Sequence, residues 1–241
     1  QYLGSFEPAA AEIVALARGA GAEAIVGVDP SSLGICAPPG QYGADIAVGT
    51  LQPLGIHMHA GGGLGGFIAS RDEVRYAAEY PTLLNSIAET VDGKLAFGLM
   101  LFHQCSYGSR EEGKDWTGNS TYLWAVAAAA YMALLGPEGF RELGALIRHR
   151  TRQAAAALAP LAGLRLVAPD AAFKELVVDF APSGRTVAEV NAALLERGIF
   201  GGLDLSRRIP ALGQSALFSF TEMHDDAAIA ALVQSLEEIL S

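Results

Sequence analysis

His57 and His59 stand one residue apart in HMH, immediately before glycines at 61, 62, 63, 65 and 66. Two imidazoles so placed could ligate a metal, but no third ligand follows at a zinc-site spacing, and His103 with Cys105 is no better provided. Glycines packed this closely let backbone amides approach a ligand or another chain without a Cβ in the way. GGGLGG lacks the GxGxxG spacing of a dinucleotide fingerprint, however, and no GK[ST] follows to make a P-loop. A tight crossing between sheet and core would use the same glycines. Ser/His/Asp catalysis lacks a GxSxG elbow. The carboxylate pairs Asp225/Asp226 and Glu237/Glu238 fall at helix ends, where surface charge is the default.

Amine chemistry would need a lysine desolvated at a strand end, where its pKa is depressed. The chain has three: Lys94 in a VDGK turn, Lys114 in the charged run REEGKD, and Lys174 leading FKELVVDF. Each reads as a solvated surface group, and none is a good catalytic candidate. Asp29 ends the strand pattern AIVGV, either facing a ligand or starting an ordinary DPSS turn. Arg110 lies in HQCSYGSREEGKDWTGN, a polar stretch without periodicity; long loops of this kind are often functional. Arg110 could hold a carboxylate bidentately, or the stretch could be a solvated loop with internal charge pairs among Arg110, Glu111, Glu112 and Lys114.

The elements that must position these residues follow from periodicity. Ile46, Ala47 and Val48 form an apolar run without polar alternation, which suits a strand of a parallel sheet covered on both faces, and function in such sheets sits just past a strand's carboxyl end. An amphipathic helix is expected over residues 8 to 19. GFIAS is expected as a strand, SRDEVRYAAEY as a short helix capped by Ser70 or Asp72, and ETVDGKLAF as a hairpin turning at Asp-Gly. TYLWAVAAAAYMALL reads as an alanine-rich helix ended by Gly136-Pro137, which starts another with Phe140, Leu143, Leu146, Ile147 and Leu158 on one face and Arg148, Arg150 and Arg152 on the other. From 161 onward, strands alternate with two helices. Thr186 and Glu189 form a capping box on the first, and Asp225 or Asp226 opens the last.

The 241 residues, 51% hydrophobic and 17% charged, are a globular composition. A net charge of −10 argues against a nucleic-acid or anionic-membrane partner, since both need basic patches. No apolar run reaches the roughly 18 residues of a membrane span and no secretory leader pattern is present. Cys36 and Cys105 lack CxxC spacing and read as reduced thiols, so a cytoplasmic location is expected. The chain opens on QYLGSFEP, where a connection between elements is expected. The reading is therefore that it is the carboxyl-terminal half of a longer subunit.

The order VDPSSLG (Val28 to Gly34), YGADIAVG (Tyr42 to Gly49), LQPLG (Leu51 to Gly55), MHAGGGLGGF (Met58 to Phe67) and SREEGKDWTGNSTYLWAVAAAAYMALLGPEG (Ser109 to Gly139) resembles the P-protein of the glycine cleavage system. It is most similar to subunit 1 of the two-chain form of that protein. The resemblance covers essentially the whole chain. It implies the α/β fold of the pyridoxal-phosphate-dependent transferases of the aspartate aminotransferase type. Residues 1–135 would be the carboxyl-terminal part of a large domain, 136–160 a linking helix and 161–241 a small α+β domain. It places Pro53 where catalytic relatives carry the Schiff-base lysine, and a proline cannot form that bond. It also places Asp29 where an aspartate pairs with the cofactor's ring nitrogen, and His59 beside the cofactor in a degenerate site. It implies that Arg110 belongs to a segment reaching toward a partner's active site.

The function so implied is that of a subunit without the catalytic lysine, supporting decarboxylation of glycine and transfer of its aminomethyl group to a lipoyl carrier protein. Pyridoxal phosphate would be held mainly by the homologous subunit 2, in a hetero-oligomer for which two copies of each is the suggested stoichiometry. No metal is expected. Two other readings stay open: a stand-alone pyridoxal-phosphate enzyme related to aminotransferases or cysteine desulfurases, and a non-enzymatic interaction protein.

Overall fold

The computed structural model describes residues 3–56, 64–80, 84–100, 106–114 and 122–241. Helix α1 (Ala10–Gly19) leads into strand β1 (Ile25–Gly27), which pairs in parallel with β2 (Ile46–Thr50). Strand β3 (Gly66–Ser70) returns antiparallel to β2. The sheet is thus mixed, and its cover within the described residues is partial: Ile46, Ala47 and Val48 of β2 are half-buried, while Ile25 is 63% exposed and Ile68 56%. The expectation that Ile46, Ala47 and Val48 lie in a strand covered on both faces is met in part within the described residues.

One buried carboxylate fastens the sheet's entrance. Asp45, just before β2, accepts from the Ala24 amide (3.0 Å) and from Arg71 Nε (2.9 Å), while Arg71 Nη2 donates to the Gly43 carbonyl (2.9 Å). The beginnings of β1 and β2 and the end of β3 therefore meet on a single side chain. The Ala24 amide foremost, and then the Arg71 guanidinium, hold the Asp45 carboxyl below the ordinary carboxylate range, against burial that pushes it up.

Helix α2 (Val74–Ala77) begins at Glu73 without a side-chain cap, so neither Ser70 nor Asp72 caps it. The Asp-Gly hairpin forms as expected, β4 (Leu84–Glu89) against β5 (Leu95–Met100), with Ile87 opposite Phe97. After the four-residue helix α3 (Ser106–Ser109), α4 (Tyr122–Leu158) runs through 37 residues. It breaks at Gly136, whose φ of 60° and ψ of −177° are essentially confined to glycine, and Pro137 opens the second arm.

By length and composition alone α4 could cross a membrane, which the sequence reading denied. The apolar arm before the break is only about 21 Å long, against a hydrocarbon core of roughly 30 Å. Ala128 of this arm is buried with Leu51, Leu54 and Ile56, and most of its other side chains are open. In the second arm Gly144, Ile147, Thr151, Ala154, Ala155 and Leu158 are buried. The expected faces largely hold, with Phe140 and Leu143 half-buried, Ile147 and Leu158 buried and Arg148 and Arg152 exposed; Leu146 is instead exposed, and Arg150 is half-buried and paired with Asp226.

The rest of the chain is an antiparallel sheet in the order β6 (Arg165–Val167), β7 (Glu175–Asp179), β9 (Ser215–Ser219), β8 (Leu203–Asp204), with α5 (Val187–Glu196) and α6 (Asp226–Leu240) packed on it. Thr186 and Glu189 form the reciprocal capping box, and Asp225 caps α6 by accepting from the Ala228 amide (2.8 Å). The buried face of α6 is Ile229, Leu232, Leu236 and Ile239, with Val233 at its margin. Residues 3 to 6 join this unit: Ser5 bridges to Ala172, and the Phe6 ring lies 5.5 Å from that of Phe173.

Two measurements check this account. Because the Asp45 pKa is lower folded than unfolded, its contribution is present above the unfolded value, about 4, and is lost as pH falls through the folded value. Asp45→Asn is expected to lower stability at neutral pH and to flatten the acid limb of a melting-temperature profile; an unchanged acid limb would count against the network. Gly136→Ala meets no neighbour, so the backbone alone should cost about 1–3 kcal/mol, read as a lower urea midpoint.

Candidate functional site

The crevice past the carboxyl ends of β1 and β2 is built by short-range rules. Val28 extends β1 by donating to the Val48 carbonyl (2.9 Å), and Asp29 is the next residue. It caps the turn Pro30–Gly34: its Oδ1 accepts from the Ser31 amide (3.0 Å) and the Ser31 hydroxyl (2.6 Å), and Ser32 Oγ donates to its carbonyl (2.7 Å). The turn is pressed onto the second arm of α4, where small residues permit it. A Cβ on Gly34 would strike the Phe140 carbonyl, and one on Gly144 would come within 3.1 Å of the Ser31 carbonyl. Of the two readings of DPSS, the turn is the one formed: Asp29 caps it at the end of the strand.

The second oxygen of Asp29 is taken by Lys174 Nζ, in an ion pair whose side chains are 12% and 23% exposed, respectively. This overturns the reading of Lys174 as a solvated surface group. The residue leads β7, its carbonyl accepts from the Phe220 amide (2.7 Å), and Phe173 before it is fully buried, so its stem is anchored in the second sheet. Only its head reaches back to the first sheet. Lys94, paired with Asp92 in the hairpin turn, is exposed as expected. Lys114 is half-buried and binds Glu79 (3.0 Å) and the Ala78 carbonyl, outside its own loop.

Pro53 lies in the turn after β2, half-buried, where Leu54 donates to the Leu51 carbonyl (2.9 Å) and Ile56 to that of Gln52 (3.3 Å). Gly55 there has a φ of 78° and lies against the Tyr131 ring of α4. A cleft of about 500 Å³ opens beside it, lined by Pro30, Leu54, Met132, Pro137, Phe140 and Arg141 among others. Arg141 is shared with Glu138 one turn back, so the described lining offers no free cation. Arg110 is exposed in a left-handed conformation (φ 49°), and no described residue pairs with its side chain. His57, His59, His103, Cys105 and the glycines at 61–63 lie outside the described residues. Among the described residues no three His, Cys, Asp or Glu side chains group as a metal site.

Open α/β sheets bind ligands in a crevice at the carboxyl ends of their parallel strands, and solved structures place this fold among the pyridoxal-phosphate-dependent enzymes. The cysteine desulfurase CsdA of Escherichia coli superposes with a TM-score of 0.69 at 18% identity, over 99% of this chain and 56% of that one. A glycine decarboxylase (P-protein) of the glycine cleavage system, crystallised in inhibitor-bound form, gives 0.87 at 34% identity, over 99% of this chain and 53% of that one.

The profile of the glycine cleavage system P-protein matches residues 2–236, and the chain belongs to that family. A probable glycine dehydrogenase (decarboxylating) subunit 1 of Staphylothermus marinus is 35% identical over 240 residues, and that of Thermococcus onnurineus 36% over 238. The chain spans about half the length of these relatives, 51% and 52%.

The described residues do not fit the cofactor of the class. Its binding calls for an amine to meet the aldehyde and a carboxylate to meet the ring nitrogen. Where the family resemblance implies the lysine, Pro53 has no amine, and Asp29 is filled by Lys174 and Ser31. Removing one partner of such a pair strands a charge. Lys174→Met is expected to cost about 3 kcal/mol, with part regained in Asp29→Asn/Lys174→Met. Additive losses in a double-mutant cycle by urea unfolding would contradict the pairing.

Proposed function

We propose that this chain acts as the subunit of glycine decarboxylase that does not carry the cofactor, working in the cytoplasm beside a homologous subunit that does. The observation that carries the reading is the filled Asp29: a family copy of the site whose carboxylate is already engaged cannot also be the copy that grips the ring. In the proposed complex the partner uses pyridoxal phosphate to remove CO2 from glycine, and the aminomethyl group passes to a lipoyl carrier protein.

This chain's contribution is support and substrate contact. Apolar side chains left open favour a protein partner: Ile87 and Phe97, opposite each other on the β4–β5 hairpin, and Leu123, Val126 and Leu134 on the first arm of α4. Arg110, exposed with no described partner, is the residue we assign to the carboxylate of glycine across that interface.

Exchange of isotopic bicarbonate into glycine is expected only when this chain, the homologous subunit and the lipoyl carrier are combined, and borohydride reduction with pyridoxal phosphate should label only the partner. Exchange by this chain alone, or label on it, contradicts the proposal. In the reconstituted enzyme Arg110→Ala should raise KM for glycine about tenfold or more, the loss of one charge-assisted contact; an unchanged KM removes Arg110 from the site.

A further inference from the structure

We infer that Lys174 closes the strand-end carboxylate of Asp29 to pyridoxal phosphate, by serving as the internal cation where the ring nitrogen of the cofactor would need that carboxylate. The inference deepens the proposal that the cofactor is held by a partner subunit, and rests on it.

The geometry leaves the Asp29 carboxylate little spare capacity. One oxygen accepts two hydrogen bonds, from the Ser31 amide and hydroxyl, and the other faces the Lys174 ammonium. A protonated pyridine could enter only by displacing that ammonium, exchanging one positive charge for another with no electrostatic gain. The ammonium is also tethered. Its backbone is bonded to Phe220 beside the fully buried Phe173, so it is never diluted away from Asp29. A tethered group competes at an effective concentration of about millimolar or more, above that of a free cofactor at micromolar levels. Removal of the amine at position 53 denies the covalent link; Lys174 denies the charge contact, by a route that does not involve Pro53.

The probe is deoxypyridoxine phosphate, which keeps the ring nitrogen and phosphate but has no aldehyde, so that binding is read without Schiff-base chemistry. By equilibrium dialysis on the full chain, Lys174→Met is expected to bind it at least about tenfold more tightly than wild type. Lys174→Arg should behave as wild type, and adding Asp29→Asn should abolish the gain. Equal binding by wild type and Lys174→Met, no gain in a Lys174→Met protein that still melts cooperatively, or a gain that survives Asp29→Asn would each overturn the inference.

Reductive methylation of the folded wild-type chain provides a reading independent of that variant. Lys174 should label many-fold more slowly than exposed Lys94, and Asp29→Asn should bring it toward the Lys94 rate. Equal rates in the wild type would also overturn the inference. Borohydride trapping of the cofactor on the wild-type chain would instead strike at the partner-held reading, so the two failures are distinguishable.

Discussion

A carboxylate held at the end of a strand, largely out of water, must be given a counter-charge or hydrogen bonds, and around Asp29 both come from the same chain. Ser31 supplies the hydrogen bonds by folding the turn back on the strand end, and Lys174 supplies the charge from the second sheet. Much else is arranged to make this possible. Gly34 and Gly144 let the turn lie against α4, and Phe173 and Phe220 fix the base of the lysine. The ion pair also joins the two sheets, so the turn that ends β1 and the residue that begins β7 cannot move independently without separating it.

The long helix α4 relates the same two regions by other means. Its first arm lies over Leu51, Leu54 and Ile56 beside Pro53, and its second contributes Ala154, Ala155 and Leu158 to the core of the antiparallel sheet. Gly136 sets the angle between the arms through a backbone conformation that side chains disfavour. The crevice is thus lined from three directions, yet the described groups lining it are mostly apolar or already paired.

Much of this was legible in the sequence wherever the signal was local. The capping box at Thr186, the cap at Asp225, the Asp-Gly hairpin and the break at Gly136-Pro137 each depend on residues within a few positions of one another. Motif order also placed Asp29 and Pro53 beyond strand ends. What could not be read was long-range pairing. Lys174 leads an apolar strand and looks like a residue that turns its head to water, and nothing near it in sequence announces that Asp29 will be its partner. Arg71 and Asp45 were missed for the same reason, as was the antiparallel return of β3. The parallel strands are covered only in part because an apolar run states what a strand can cover, not which elements supply the cover.

The most direct test of the central claim is electron density at Asp29 in crystals of the assembled enzyme grown with pyridoxal phosphate. The account predicts the ammonium of Lys174 on the carboxylate of Asp29, with no ring beside it in this subunit. A cofactor ring whose nitrogen rests on Asp29, with Lys174 turned away, would contradict it.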